Sequence, residues 1–445
     1  MKVCVFGLGR IGLPITLVCA DSGYKVVGID VNERLVNSLK EGKIVFNEPG
    51  LKELVTKHLN KNFFPRHQDE DVTSDLKEAE YIILAVGTGF AIYPDKPNLS
   101  TLYSVIGQLI ATGLRGKTII LRVTLPMGTC DNVKDFIEKK TSLKEGKDFW
   151  FSFVPERIME GKAIIEERGL PKIVGAYNDK GFSKVNRFFK KIGGKIVRVS
   201  NPRTAEFIKL VDNSWRNTRF AFANELAFLA EINGVDVIEV IESANAGYER
   251  NEIAQPGPVT GYCLGKDPYL LELAFEEIAR RRGFGSLWYY GRRANDWLVD
   301  KVMDETKGKN VLIAGLSFKE DIDDFRYSYG IEIARRLLAK GYRVAVCDPF
   351  LNKNYYTRLP DDLLDKVKGL NSIEKAVAQD IDTIIFTTRH REFQDFNIKS
   401  FMKECSKPVK IIDLWNIYAK LADKIHGIEY KGFGKGVKVC AISFL

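Results

Sequence analysis

Over the first 200 residues, short mainly apolar runs alternate with longer amphipathic ones. Runs at 2–6, 25–29, 81–86, 117–123 and 149–154 show little polar alternation. Strands read this way when helices cover both faces of a sheet, whereas one-sided strands alternate with period two. Further runs at 172–174 and 195–199 close this region near residue 200. From 204 to 234 the pattern changes to one long proline-free helix, and helices follow at 236–245, 269–281 and 287–305. Phe207, Leu210, Val211, Ser214, Trp215, Phe222, Leu226 and Leu229 give the long helix a broad apolar face. Trp288, Tyr289, Tyr290 and Trp297 carry more apolar surface than a connecting helix needs, so the middle segment is expected to be a helical spacer and a dimer contact. Strand patterns resume at 311–315, 342–347, 382–387 and 410–414, with an amphipathic helix at 331–340. The expected fold class is α/β: two doubly wound domains, 1–200 and 306–445, joined by an all-helical segment at 201–305.

The turn after the first strand is the first piece of chemistry. Gly7-Leu8-Gly9-Arg10-Ile11-Gly12 follows the strand at once and opens a helix, and the next strand ends at Asp30. This is a Rossmann-like dinucleotide fingerprint in its required context. The glycines allow a tight turn and close approach to a pyrophosphate, whose charge meets the helix N-terminus. Asp30 can accept both ribose hydroxyls and repel a 2′-phosphate, which favours NAD over NADP; Arg34 works in the opposite sense. The later strands close on Gly87-Thr88-Gly89, on Thr124-Leu125-Pro126 and on Pro155-Glu156-Arg157. Ligands of doubly wound sheets sit beyond the strand C-terminal ends, so Thr88, Thr124 and Glu156 become candidates by position. On the long helix Lys209, Asn213 and Arg216 form a polar stripe beside the aromatic one, either solvated or lining a cleft.

Composition changes this picture little. The 445 residues are 45% hydrophobic and 28% charged, with a net charge of +9, which suits an anionic small ligand or plain solubility. No basic stripe suggests nucleic acid, and no run is long enough to span a membrane. Seven scattered cysteines (4, 19, 130, 263, 347, 405, 440) point to a reducing cytosol. Four scattered histidines (58, 67, 390, 426) lack cysteine partners at ligand spacing, so no metal is expected.

One cysteine stands apart. Cys263 lies between the Gly/Pro-rich 255–261 loop and Lys266-Asp267-Pro268, which reads as a helix start with Asp267 as N-cap. A thiol beside a lysine near a helix N-terminus is placed where thiolate is favoured; the alternative is one more buried apolar residue. The second α/β region lacks a Gly-rich fingerprint and carries instead a long turn, 316–326, with Lys319 and Arg326 suited to phosphate. A different nucleotide is expected there.

Gly7 to Pro14, Asn47-Glu48-Pro49-Gly50-Leu51, Thr124-Leu125-Pro126, Pro155-Glu156, Gly261-Tyr262-Cys263 with Lys266-Asp267-Pro268, and Phe318-Lys319 with Asp323-Asp324 and Arg326 occur in that order. Together they resemble the UDP-glucose/GDP-mannose dehydrogenase family over the whole length. The resemblance implies NAD-dependent four-electron oxidation of a sugar nucleotide's C6 alcohol to the carboxylate. It implies that Cys263 attacks at the aldehyde level and passes through a thioester. Lys209 and Asn213 would stabilise oxyanions and hold water, Asp267 assist proton transfer, and Glu156 promote hydrolysis. Thr88, Thr124, Glu160, Lys266 and Arg326 would lie on the cofactor side, with Gly87 and Arg34. Lys319, Glu156, Arg157, Arg216, Gly257 and Gly261 would meet the substrate, with Arg250 lent by a neighbouring subunit. The runs at 213–217, 222–225, 155–157 and 171–175 resemble the UDP-N-acetylhexosamine branch more than the UDP-glucose branch. Two departures stand out: Val259-Thr260-Gly261 is shorter than the family's glycine-rich loop, and Thr88-Gly89 replaces a Thr-Pro. A dehydrogenase making a single hydride transfer, as in 6-phosphogluconate-type enzymes, and a non-catalytic nucleotide-sugar binder are the alternatives. NADH stoichiometry of two, one or none separates the three.

Overall fold

The computed structural model describes residues 1–89, 92, 94–354, 357–370, 372–375, 380–405, 408–421 and 428–435; His426 and Cys440 fall outside them. The chain divides into two compact units. One comprises Met1–Asp212 with Tyr269–Arg281, the other Asn213–Pro268 with the chain from Arg282 onward.

The first unit holds an eight-stranded sheet: β1 (Lys2–Phe6), β2 (Lys25–Asp30), β3 (Phe63–His67), β4 (Tyr81–Leu84), β5 (Thr118–Leu121), β6 (Trp150–Phe153), β7 (Lys172–Ala176) and β8 (Ile196–Val199). Its order is β3-β2-β1-β4-β5-β6-β7-β8. Strands β1, β4, β5 and β6 are almost wholly buried, which is why they read as unbroken apolar runs. All neighbours are parallel except β6 and β7. Periodicity is blind to that reversal, because a buried strand reads the same in either direction. Register pairs Phe6 with Ile29 and with Leu84, and Leu121 with Phe153. The turns at Gly7, Asp30, Ala85, Arg122 and Val154 therefore gather along one edge, beyond the strand C-termini.

The second unit holds six parallel strands: β9 (Asn310–Ala314), β10 (Arg343–Cys347), β11 (Lys368–Leu370), β12 (Thr383–Phe386), β13 (Val409–Asp413) and β14 (Ile428–Gly432), in the order β11-β10-β9-β12-β13-β14.

The long helix runs from Pro202 to Ile232. Asn201 caps it, its side-chain oxygen accepting Thr204 N–H at 2.8 Å, and Pro202 fills the first helical position, where a missing N–H costs nothing. It stops at Gly234, whose φ of +70° suits glycine, with Val235 N–H returning to Ala230 C=O. Its buried face differs from the one expected. Leu210, Ser214, Asn217, Ala221, Asn224 and Ala227 are buried, while Phe207, Val211, Trp215, Phe222 and Leu229 are 41–61% exposed. Amide hydrogen bonding draws the asparagines inward and leaves the aromatic stripe outside.

Candidate active site

In the first unit Gly7 adopts φ +90°, and a Cβ there would lie 2.6 Å from Ala85 C=O. A Cβ on Gly12 would lie 1.7 Å from Gly7 C=O, so both positions require glycine. Asp30 accepts Leu8 N–H at 2.6 Å and Asn32 N–H at 2.8 Å, which ties the glycine turn to the end of β2. Arg10 is nearly buried, 3.2 Å from the Glu160 carboxylate and over the Phe46 ring at 5.0 Å. Glu48 in turn accepts Gly161 and Ala163 N–H, both at 2.8 Å, and so steadies the segment that carries Glu160. Thr88 donates to Thr124 C=O at 3.0 Å, bringing the two strand-end turns together. Glu206 accepts Gly128 and Cys130 N–H at 2.7 Å each, fastening the turn after Thr124 to the long helix.

Three residues on from Glu206, Lys209 donates to Glu156 C=O at 2.5 Å and lies 3.6 Å from its carboxylate. Burial pushes the Glu156 carboxyl up, against the cations of Lys209 and Arg122. Arg157 turns outward to Asp212 at 2.9 Å.

In the second unit, Asn213 sits one helical turn after Lys209 and donates to Asp267 Oδ2 at 2.6 Å. Asp267 Oδ1 takes Lys266 at 2.5 Å. Lys266 and Asp267 are almost fully buried. Burial works against the Lys266 charge, but the carboxylate and the neighbouring Cys263 and Tyr262 outweigh it and hold its pKa above the ordinary lysine value. Asp267 is the first residue of its helix rather than a residue ahead of it. Cys263 is exposed, within the short helix Gly261–Leu264.

The loop before the cysteine is held at each step. Asn224 grips Gly257 in both directions, N–H at 2.8 Å and C=O at 3.1 Å. Fully buried Arg292 donates to Val259 C=O at 2.8 Å, to Asn217 at 3.0 Å and to Tyr329 at 2.5 Å. Gly261 N–H reaches Tyr327 C=O at 3.1 Å. A Cβ on Gly257 would meet the Trp415 ring at 2.8 Å, and one on Gly261 the Phe318 ring at 2.6 Å. The shortened loop thus keeps glycine where aromatic rings press on its backbone. Arg326 pairs with both oxygens of Asp324 and lies 5.5 Å from the Tyr262 ring, with Lys266 4.9 Å from that ring.

Not every expected residue joins a cluster. Arg216, Arg34 and Gly87 are exposed, Arg250 is exposed and stacked on Tyr248 at 4.6 Å, and Lys319 is half-buried in its turn. The sequence reading missed the holding residues Glu206, Arg292 and Trp415, which announce themselves by no motif, and Asn217 lay inside the run 213–217 without a role of its own. Glu48 lay inside a recognised motif, without a role.

The glycine turn and the acid at the end of β2 in the first unit, and the buried Asn213–Asp267–Lys266 chain with exposed Cys263 in the second, belong to an NAD-dependent dehydrogenase, as the family match shows. The UDP-glucose/GDP-mannose dehydrogenase family matches in three parts: NAD binding domain over 1–193, central domain over 203–288 and UDP binding domain over 312–420. The chain belongs to this family, whose members are NAD-dependent UDP-sugar dehydrogenases. It is 30% identical to a UDP-N-acetyl-D-mannosamine dehydrogenase of Pyrococcus horikoshii, covering 98% of this chain and all of the relative. It is 30% identical to an NDP-N-acetyl-D-galactosaminuronic acid dehydrogenase of Ralstonia nicotianae, over 88% and 91% of the two chains. The solved Pyrococcus horikoshii UDP-D-ManNAc dehydrogenase superposes with a TM-score of 0.84 over 98% of this chain and 99% of that one.

Proposed function

We propose that the protein oxidises the C6 alcohol of a UDP-N-acetylhexosamine, of the UDP-ManNAc or UDP-GlcNAc type, to the uronate through a cysteine thioester. The observation that carries this is the filled Asp267: one oxygen holds Asn213 and the other Lys266, three residues after exposed Cys263. NAD, for which Gly7, Gly12 and Asp30 make a fitting cradle, supplies the acceptor for two hydrides, so that R–CH2OH + H2O + 2 NAD⁺ gives R–COO⁻ + 2 NADH + 3 H⁺. Cys263 adds to the aldehyde carbon after the first oxidation, forming a C–S bond; the second oxidation leaves a thioester. Sulfur survives that oxidation and leaves readily. Lys209 and Asn213 offer donors to the oxygen that gains charge at each stage, about 3 kcal/mol per donor being typical. Asp267 moves the alcohol proton. Glu156 takes a proton from the water that adds to the thioester, and the C–S bond then breaks to return the thiolate.

Arg10, Arg34, Gly87, Thr88, Thr124, Glu160, Lys266 and Arg326 face the cofactor in this reading; Arg157, Arg216, Gly257, Gly261 and Lys319 face the sugar nucleotide. The exposed stripe Phe207, Val211, Trp215, Phe222 and Leu229 is spaced by four and seven on one helix and supports a homodimer, with Arg250 offered to the partner's site. The six described cysteines are thiols, which supports a reducing, cytosolic setting. Among the described residues no helix is long and apolar enough to cross a membrane. The activated uronate would serve polysaccharide biosynthesis. UDP-hexoses and UDP-N-acetylhexosamines assayed side by side for NADH test the reading. Two NADH per N-acetylhexosamine is expected; two per UDP-glucose with none from the others would move the substrate, one would remove the thioester, and none would leave a binder.

A further inference from the structure

We propose that Arg122, with Lys172 and Glu167, forms a buried charge cluster that tunes Glu156 toward its ionised form for the hydrolytic half of the reaction. Arg122 is in this view a positioning residue. The inference rests on the reading of Glu156 as the base toward water.

Arg122 follows β5 directly. Its N–H donates to Leu84 C=O at 2.9 Å, while Val154 N–H donates to Leu121 C=O at 2.9 Å, so Arg122 starts beside the turn that leads to Glu156. Arg122, Glu167 and Lys172 are 2%, 0% and 4% exposed. The guanidinium Nη2 lies 2.8 Å from Glu167 Oε2 and Lys172 Nζ lies 3.2 Å from Glu167 Oε1. One carboxylate therefore serves two buried cations. The guanidinium also rests over the Phe189 ring at 5.5 Å, and its Nε and Nη1 have no hydrogen-bond partner.

As a stabilising device this is poor design. A buried, half-satisfied guanidinium costs free energy that an apolar side chain of similar volume would not. Its surplus positive charge suits a second anion, and Glu156 lies on the turn that Arg122 starts beside and responds to its charge. The groups facing Glu156 are Lys209 from the long helix, Arg122 from the end of β5, Glu167 from the helix Ala163–Gly169, Lys172 from β7 and the Ile158 N–H. Three cations and two carboxylates leave one positive charge in excess, suited to the oxyanion that hydrolysis creates. Burial raises the Glu156 carboxyl; the cations oppose that rise, Lys209 first and Arg122 next.

Glu156 can be titrated without turnover, from the infrared carboxyl band that wild type has and Glu156→Gln lacks. The same difference is taken in each variant background. Arg122→Met should raise its midpoint by about one pH unit, the usual size for a removed neighbouring charge. Glu167→Gln should lower it by a similar amount, and Arg122→Lys should leave it in place. The double variant Arg122→Met/Glu167→Gln loses one charge of each sign and should return to the wild-type midpoint. The acid limb of kcat for uronate formation should move in the same order. A merely structural arginine would produce shifts of one sign, largest in the double variant, and that result, or no shift at all, would overturn the proposal. If Arg122→Met does not fold, Lys172→Met takes its place in the series. Lack of NADH from every UDP-sugar would sink the proposed reaction, whereas the order of midpoints reports on the charge cluster by itself.

Discussion

The two sheets begin alike and end in different employment. Gly7 N–H reaches Ile29 C=O at 2.8 Å, and Gly315 N–H reaches Cys347 C=O at the same distance. Asp30 accepts Leu8 N–H at 2.6 Å, and Asp348 accepts Leu316 N–H at 2.6 Å. Both leading glycines have positive φ, +90° and +104°, and each has a second glycine packed on its carbonyl, Gly12 on Gly7 and Gly330 on Gly315. The second glycine comes five residues on in one case and fifteen in the other. The short turn leaves Asp30 half-buried. In the long turn Asp348 is 1% exposed and also takes Ser317 N–H, Phe350 N–H and His390 Nε2, the last at 3.1 Å. His390 Nδ1 accepts Asp321 N–H, so Nε2 carries the proton. The extra residues bring Phe318 and Tyr327 against the loop of Cys263. The acid at this place is thus half-buried in one sheet, as a ligand group would be, and enclosed as a brace in the other.

The comparison can be broken most sharply at the cysteine that the longer turn supports. Cys263→Ser should retain both ligands and lose uronate formation by about a thousandfold or more, measured as NADH and acid product; full turnover would remove the thioester route. The two acids give the next test. Asp30→Asn should weaken NAD about ten- to a hundredfold in calorimetry, with a small change in Tm. Asp348→Asn should leave NAD affinity in place and cost about 2–4 kcal/mol of stability by denaturant titration, because the buried donors lose their charged acceptor. Equal loss of NAD affinity in both would erase the distinction between ligand group and brace.

The smallest effect sharpens the first unit alone. Burial pushes the Glu145 carboxyl up to about 7, against its bonds from Phe151 N–H and Asn178. The folded chain then holds a proton that the unfolded chain has released. Stability should fall as pH rises from about 4.5 to about 7, and stay lowered above that. Glu145→Gln should flatten this part of the Tm–pH curve, and an unchanged slope would assign it elsewhere.

Much of this protein was legible before any coordinates. Buried parallel strands announce themselves as apolar runs, and Gly7, Gly12 and Asp30 sit at fixed offsets because a pyrophosphate and a ribose have fixed sizes. Cys263, Lys266 and Asp267 are neighbours in the chain, so their closeness could be read locally. The face of the long helix was misread, since period alone does not say whether an aromatic or an amide stripe turns inward. What the linear order could not contain is the partnership of distant groups: Asn224 gripping Gly257, Glu206 on the turn after Thr124, the reversal of β7, and Arg122 buried with Glu167 and Lys172. Local geometry and periodicity are written residue by residue, whereas burial and electrostatic pairing exist only after the chain has closed on itself.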